Sequence, residues 1–275
     1  MTSFEAYQAN LTMRLDELRQ GDPAYELHGD AIMETLPYES EQAPETDTPR
    51  ILDVGCGLGF LALKLAEWPG SQVVGIDPSN EAIRLAQREH AATPNLQFHA
   101  VSAQAFPARM AELGEESFDR AILNMVLHSE DDDVCLEVLT GIRSALVPHG
   151  TLVLVVPGES WLTYKLIEKA QAEGLDKDVG IAWVSDMLRR RSVDLAWSIR
   201  GQPTYEGTIT VYNRSLEVYG SLLSDAGFGL DVYTTDRDAL NKRVTARVPF
   251  WEWNDHTKSW EMAHRDRHVL VTQTL

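Results

Sequence analysis

The sequence contains only two cysteines, Cys56 and Cys135, far apart and in no CxxC pattern. That excludes a disulfide framework, and both read as reduced, mostly buried thiols. Lysine is scarce, with six against eighteen arginines, and the formal net charge is −18. The one basic run, Arg189-Arg190-Arg191, reads as the solvated face of a helix. A polyanion must be met by clustered Lys and Arg, so nucleic acid is not an expected partner. The acid excess implies solubility and weak non-specific adhesion. No stretch approaches the roughly 18–20 consecutive apolar residues of a membrane-spanning helix. Met1 to Asn10 has no basic region leading into an apolar one, the mark of a secretory signal. The expectation is a cytoplasmic protein with no membrane partner.

What the chain does have is a core. Apolar residues make up 44% of its 275 positions, enough for one α/β domain with insertions. Residues 1–36 read as two helices, with Leu11, Leu15 and Leu18 on one face and a break at Gly21-Asp22-Pro23. Residues 37–49 carry three prolines among acidic and polar residues, the composition of a linker. From Arg50 the pattern alternates. Strands are expected at Ile51–Val54, Val73–Ile76, Leu96–Val101, Phe118–Leu123 and Thr151–Val156, with helices between them and Ser79 capping one at Glu81–Glu89. Continuously apolar strands separated by helices imply a parallel sheet covered on both faces, with its ligand crevice at the strands' carboxyl ends. Residues 157–207 interrupt this order and read as two or three helices. Val211–Ala226 reads as a further helix, and Leu230–Thr234 and Val269–Thr274 as strands. The expected organisation is 1–49 helices and linker contributing to a cap, 50–156 core, 157–207 helical cap, and 208–275 completing the sheet.

The first strand runs into Asp53-Val54-Gly55-Cys56-Gly57-Leu58-Gly59, and a helix follows. Glycine there admits positive φ and lets the backbone approach a ligand closely. A dinucleotide fingerprint spaces its glycines G-x-G-x-x-G, but Phe60 stands at the third position here. Asp53, just before the loop, suits a ligand carrying ammonium and sulfonium charge better than a pyrophosphate. Asp77 follows Gly55 by 22 residues, at the end of the second strand, where an acid can accept from ribose hydroxyls.

At this point ILDVGCGLGFLALKLA and VVGIDPSNEAI resemble the class I S-adenosylmethionine-dependent methyltransferases. FDRAILNMVLHSEDD, LVPHGTLVLVVP and YNRSLEVYGSLLSDAGFGLDV extend the likeness over roughly residues 50–156 and 208–235. The resemblance implies a doubly wound, seven-stranded, mostly parallel Rossmann-like sheet whose last strand is antiparallel, matching Val269–Thr274. It implies S-adenosylmethionine as cofactor and S-adenosylhomocysteine as product. By the same likeness Asp53, Gly55 and Gly57 take the methionine end and Asp77 the ribose. Ser102, Ala103 and Gln104 flank the adenine, and Asn124 lies beneath the sulfonium. Ser102 departs from the acidic residue often found there, so Gln104 is its understudy.

Methyl transfer depends chiefly on positioning, and a base is needed only if the acceptor must lose a proton. His128, just past the fourth strand, is the candidate base, with a structural role for the loop as the alternative. Asp131, Asp132 and Asp133 read as the cap of the next helix, and no metal site is expected. Tyr25, His28, Trp161, Tyr164, Tyr205, Tyr212 and Arg214 are the candidate substrate contacts. The aromatic segment 250–256 fits edge packing, a homodimer contact or pocket closure. The predicted function is methyl transfer to oxygen or nitrogen of a small molecule. Two alternatives keep the same loop: a cyclisation or elimination enzyme, and a non-catalytic accessory subunit.

Overall fold

The computed structural model of the chain describes residues 48–157, 159–196, 208–229, 245–254 and 259–274. In chain order these form β1 (Arg50–Val54), α1 (Phe60–Ala66), β2 (Gln72–Asp77), α2 (Asn80–Glu89), β3 (Leu96–Ala100), α3 (Phe106–Leu113) and β4 (Phe118–Asn124). A single 3-10 turn at Leu127–Ser129 leads to α4 (Asp132–Ala145), β5 (Leu146–Pro157), α5 (Glu159–Ala172) and α6 (Lys177–Met187). Then follow β6 (Ser192–Ala196), β7 (Thr208–Tyr212), α7 (Leu216–Asp225), β8 (Phe228–Gly229), β9 (Thr245–Asn254) and β10 (Ser259–Thr274).

The main sheet runs β3-β2-β1-β4-β5-β10-β8, with β9 paired to β10 off that path. Strands β1 to β5 are mutually parallel, and β10 enters antiparallel between β5 and β8. This is the doubly wound sheet with an antiparallel inserted strand that the sequence predicts. The chain winds outward from β1 to β3, then returns to start β4 on the other side of β1. That reversal makes the carboxyl ends of β1 and β4 the topological switch point, where such sheets bind ligands.

Alternation of side chains along the strands builds two cores. Ile51, Val73, Ile122, Val153 and Val155 face α1 and α2 with Leu61, Leu65 and Ile83. Leu52, Val74, Leu123, Leu152 and Leu154 face α3, α4 and α7 with Phe106, Leu139 and Leu223. A residue-by-residue switch of face explains why these strands carry no polar side and look uniformly apolar. Helix starts follow the capping signals: Ser79 Oγ accepts the Ala82 N–H at 3.1 Å, and Asp131 Oδ1 accepts that of Val134 at 2.9 Å.

Three local expectations are corrected. The 157–207 segment holds two helices and then β6, which pairs antiparallel with β7 from Ser192↔Tyr212 to Ala196↔Thr208. The expected helix at Val211 starts only at Leu216, because Thr208-Ile209-Thr210-Val211 is a β-branched run that favours an extended chain. The aromatic segment, expected outside the regular strands, places its residues 250–254 on β9, paired with β10 from Thr245↔His268 to Asn254↔Ser259. Of the predicted Leu230–Thr234 strand, the preceding Phe228–Gly229 forms β8, and 230–234 lies outside the described residues. Helices α5 and α6 with β6 and β7 enclose a third, separate core around Leu162, Leu166, Val184, Val193, Leu195 and Val211.

Candidate functional site

The glycine loop leaves β1 with Gly55, Gly57 and Gly59 at φ 69°, 55° and 78°, all in the left-handed region. Its turn is pinned to β2: the Gly55 and Cys56 N–H groups both donate to the Ile76 carbonyl, at 2.8 and 3.0 Å. Gly55 needs its missing side chain twice over. Besides its φ, a Cβ there would stand 2.5 Å from Val126 Cγ2. Val54 pairs with Leu123, so the loop and the segment after Asn124 leave the sheet side by side.

Two carboxylates flank the loop. Asp77 is buried, its Oδ1 accepting the Ser79 N–H at 2.8 Å and its Oδ2 the Gly57 N–H at 3.1 Å. Burial raises its pKa above the usual carboxylate range, against the pull of those two bonds. Asp53 is only 2% exposed, and its Oδ2 has no hydrogen-bond partner among the described residues. Burial pushes its pKa up to about 7, the negative charge of Asp77 adds to that, and the Ala62 N–H opposes it. Ala62 lies in the first turn of α1, whose N-cap Gly59 has no side chain to offer, so Asp53 supplies that helix end from the strand. The two acids are thus buried near one another, with negative charge on both and one acceptor unused among the described residues. A cation is the complement of such a site.

Across the switch point, Asn124 ends β4, and its Oδ1 is buried without a hydrogen-bond partner among the described residues. Met125 follows at φ 58°, the only described non-glycine residue in the left-handed region. Its N–H donates to the Val155 carbonyl at 2.9 Å, which holds this uncommon conformation. His128 is buried on the 3-10 turn just beyond. On the far side, Ser102, Ala103 and Gln104 follow β3 and lead into α3, with the Ser102 carbonyl accepting the Phe106 N–H at 3.0 Å. Ala103 is buried and Gln104 exposed.

Sequence reading missed two supports. His90 Nε2 donates to the Leu58 carbonyl at 2.9 Å and meets the Phe60 ring edge-on, with centroids 5.2 Å apart. It clamps the loop from the end of α2, and burial lowers its pKa, keeping the ring neutral. Gly141 lies inside α4, where a Cβ would fall 2.3 Å from the Ala103 carbonyl oxygen. Helix α4 therefore packs its backbone directly under the 102–104 segment. The cue for each is a residue out of place: a buried histidine at a helix end and a glycine inside an apolar helix.

Of the predicted substrate contacts, Tyr25, His28 and Tyr205 lie outside the described residues. Trp161 and Tyr164 lie on α5, with only their backbone described. Arg214 is turned inward. Its guanidinium is spent inside the protein, Nε on Asp132 Oδ1 at 2.7 Å, and its two terminal nitrogens on the Leu127 and Glu130 carbonyls at 3.0 and 2.5 Å. Tyr212 lies against that same guanidinium, 4.7 Å from ring centroid to Cζ. Asp131 caps α4, and Asp132 pairs with Arg214 and Arg191. Among the described residues, no group of three or more His, Cys, Asp or Glu is placed to hold a metal.

The model of the methyltransferase domain family matches residues 45–195. The chain belongs to the class I S-adenosylmethionine-dependent methyltransferases. It is 31% identical over 172 residues to a ubiquinone biosynthesis O-methyltransferase from Albidiferax ferrireducens, covering 62% of this chain and 59% of that protein. It is 32% identical over 154 residues to the enzyme of the same name from Paracidovorax citrulli, covering 55% of this chain and 57% of the relative. The chain thus spans less than two thirds of either relative. Among solved structures, a SAM-dependent methyltransferase from Methanosarcina mazei shares the fold with a TM-score of 0.54 at 22% identity, covering 84% of this chain and 94% of that one. No helix among the described residues is long and apolar enough to cross a membrane.

Proposed function

We propose that this methyltransferase acts on an oxygen or nitrogen of a small-molecule acceptor, with S-adenosylmethionine held at the β1–β4 switch point. One observation carries the placement of the cofactor: two buried carboxylates, Asp53 and Asp77, flank a left-handed glycine loop, and Asp53 Oδ2 has no partner among the described residues. The residues fit the group. Asp53 and the loop suit the cationic methionine end, Asp77 the ribose hydroxyls, and Ser102, Ala103 and Gln104 the adenine edge. Asn124 offers an acceptor near the sulfonium. When bound, the cofactor supplies an electrophilic methyl group. The chain's own part is to fix that group in a dry site, orient the acceptor for in-line approach and remove its proton. We assign the last task to His128, buried one turn past β4.

Oxygen as acceptor atom agrees with the O-methyltransferase names of the ubiquinone biosynthesis relatives. A small acceptor agrees with a net charge of −18, which repels a polyanion. We further propose a cytoplasmic, homodimeric enzyme whose residues 1–49 and 157–207 form the acceptor-facing cap. Trp161, Tyr164, Tyr205, Tyr25 and His28 are its proposed contacts.

The test is calorimetric titration with S-adenosylhomocysteine, followed by a screen of phenols, alcohols and amines for its release from S-adenosylmethionine. Absence of binding at millimolar concentration refutes the site. Asp77→Ala is expected to weaken binding by about 1–3 kcal/mol, the value of lost charged hydrogen bonds.

A further inference from the structure

We infer that Arg214 is a positioning residue, fastening the outer layer of α5, α6, β6 and β7 to the turn that carries His128. This rests on the proposed function for its catalytic meaning, though not for its test.

The outer layer has its own core and shares none of its buried residues with the two cores of the sheet. Its helix α5 touches β5 and β10, and its strand β7 meets the turn after β4, where a side-chain link sets its position. The strap Tyr212-Asn213-Arg214 does so at the end of β7. On one side, the Asn213 N–H donates to the Arg191 carbonyl at 2.8 Å and its Nδ2 to the Leu188 carbonyl at 2.7 Å, holding the end of α6. On the other, Arg214 reaches the turn after β4. Its side chain is 4% exposed, and its guanidinium takes the Leu127 and Glu130 carbonyls and the Asp132 carboxylate together. Those two carbonyls bracket His128. The Asp132 carboxylate then closes the loop, since its Oδ2 meets an Arg191 terminal nitrogen at 2.6 Å.

The geometry requires arginine. A planar fork satisfies three acceptors in different directions at once, which a lysine ammonium on a flexible stem does not reproduce. Tyr212 and Tyr219 lie 4.7 and 5.8 Å from the guanidinium carbon and fix its plane. Without it, the two carbonyls lose their charged donor, so the turn is less firmly held. They keep only longer bonds, from the Glu130 N–H to Leu127 at 3.3 Å and from the Cys135 thiol to Leu127 and Glu130 at 3.5 and 3.7 Å. Most of the proposed cofactor floor is built elsewhere, on β1, β2 and the 102–104 segment, and Asn124 is held by its pairing with Val155, so the floor stays in place. Arg214 acts through His128 and touches neither cofactor nor acceptor.

The experiment is histidine-side-chain NMR on the full chain, comparing the wild type with Arg214→Met and Asp132→Asn, together with S-adenosylhomocysteine calorimetry. In Arg214→Met the His128 ring signals and titration midpoint are expected to move, by half a pH unit or more for the latter. The His90 signals should hold, and the Kd should stay within threefold of wild type. Asp132→Asn removes the negative charge shared by Arg214 and Arg191 while leaving one oxygen to accept, and should move His128 less, in the same direction. Unmoved His128 signals in both variants overturn the inference, as does a tenfold loss of cofactor affinity accompanied by shifted His90 signals. If Arg214→Met does not fold, Asp132→Asn decides alone, and an unchanged His128 refutes the role. Failure of the wild type to bind S-adenosylhomocysteine refutes the proposed function instead, while the His128 signals, which need no ligand, still judge Arg214.

Discussion

Replacing Asp53 with asparagine is expected to stabilise the ligand-free protein at pH 8 while weakening cofactor binding. Burial and the neighbouring Asp77 raise the Asp53 pKa from 3.8 to about 7. A shift of about three units, at about 1.4 kcal/mol each, makes the ionised carboxylate cost up to about 4 kcal/mol of folding stability. The sign follows from proton counting. Between pH 3.8 and 7 the folded state holds a proton that the unfolded state has released, so stability falls as pH rises through that window. It is fully present below pH 3.8 and lost above about 7. Asparagine keeps an oxygen for the Ala62 N–H and removes the charge, which also relieves Asp77. The cofactor's cation, by contrast, loses its buried counter-charge, worth about 1.5–3 kcal/mol for a charged hydrogen bond. Urea denaturation from pH 4 to pH 8, with S-adenosylhomocysteine calorimetry alongside, reads both effects. The stability gap should be near zero at pH 4, widen towards pH 7 and then level. A gap independent of pH, or a variant less stable than wild type at pH 8, refutes the reasoning.

Cofactor binding to the wild type should itself be proton-linked. The cation requires ionised Asp53, so affinity falls towards tenfold per pH unit below about 7, and calorimetry in buffers of differing ionisation enthalpy should detect the released proton. Gly141→Ala drives a Cβ onto the Ala103 carbonyl and is expected to cost about 1–3 kcal/mol on chemical denaturation, despite alanine's better helix propensity. His90→Leu removes the donor to Leu58 and should cost about 1–3 kcal/mol. Because burial lowers the pKa of His90, its contribution is present above pH 6.5 and lost as pH falls through the folded value; the leucine variant should lack that acid-side loss. Burial first, then Asp53 and Asp77, push the Cys56 thiol well up, and burial takes Cys135 up to about 12. Neither should react with Ellman's reagent at pH 8 until the protein is unfolded.

The main sheet and the loop proposed to hold the cofactor were legible because their signals are local. Asp53, the glycines and Asp77 declare themselves through position relative to strand ends, and Ser79 and Asp131 through capping offsets. What escaped was set by distant contacts. His90 matters because of a carbonyl 32 positions earlier, and Gly141 because of a loop on another strand. Arg214 looked like a pocket residue since a lone arginine among tyrosines carries no mark of whether its partners are ligand or protein. The strand at Thr208–Tyr212 was hidden by the helical pattern just after it, although its β-branched run was the stronger local evidence.

The separate core of the outer layer has a consequence for how such an enzyme changes over time. Mutations that repack Leu162, Leu166, Val184 or Val193 leave untouched the cores that hold the glycine loop. If the outer layer is the proposed acceptor-facing cap, new acceptors can be explored by drift in one module while the other keeps its cofactor, provided the strap at Asn213 and Arg214 survives. Selection on this chain is then expected to be uneven: permissive within the outer layer, strict along the seam at Asn213 and Arg214.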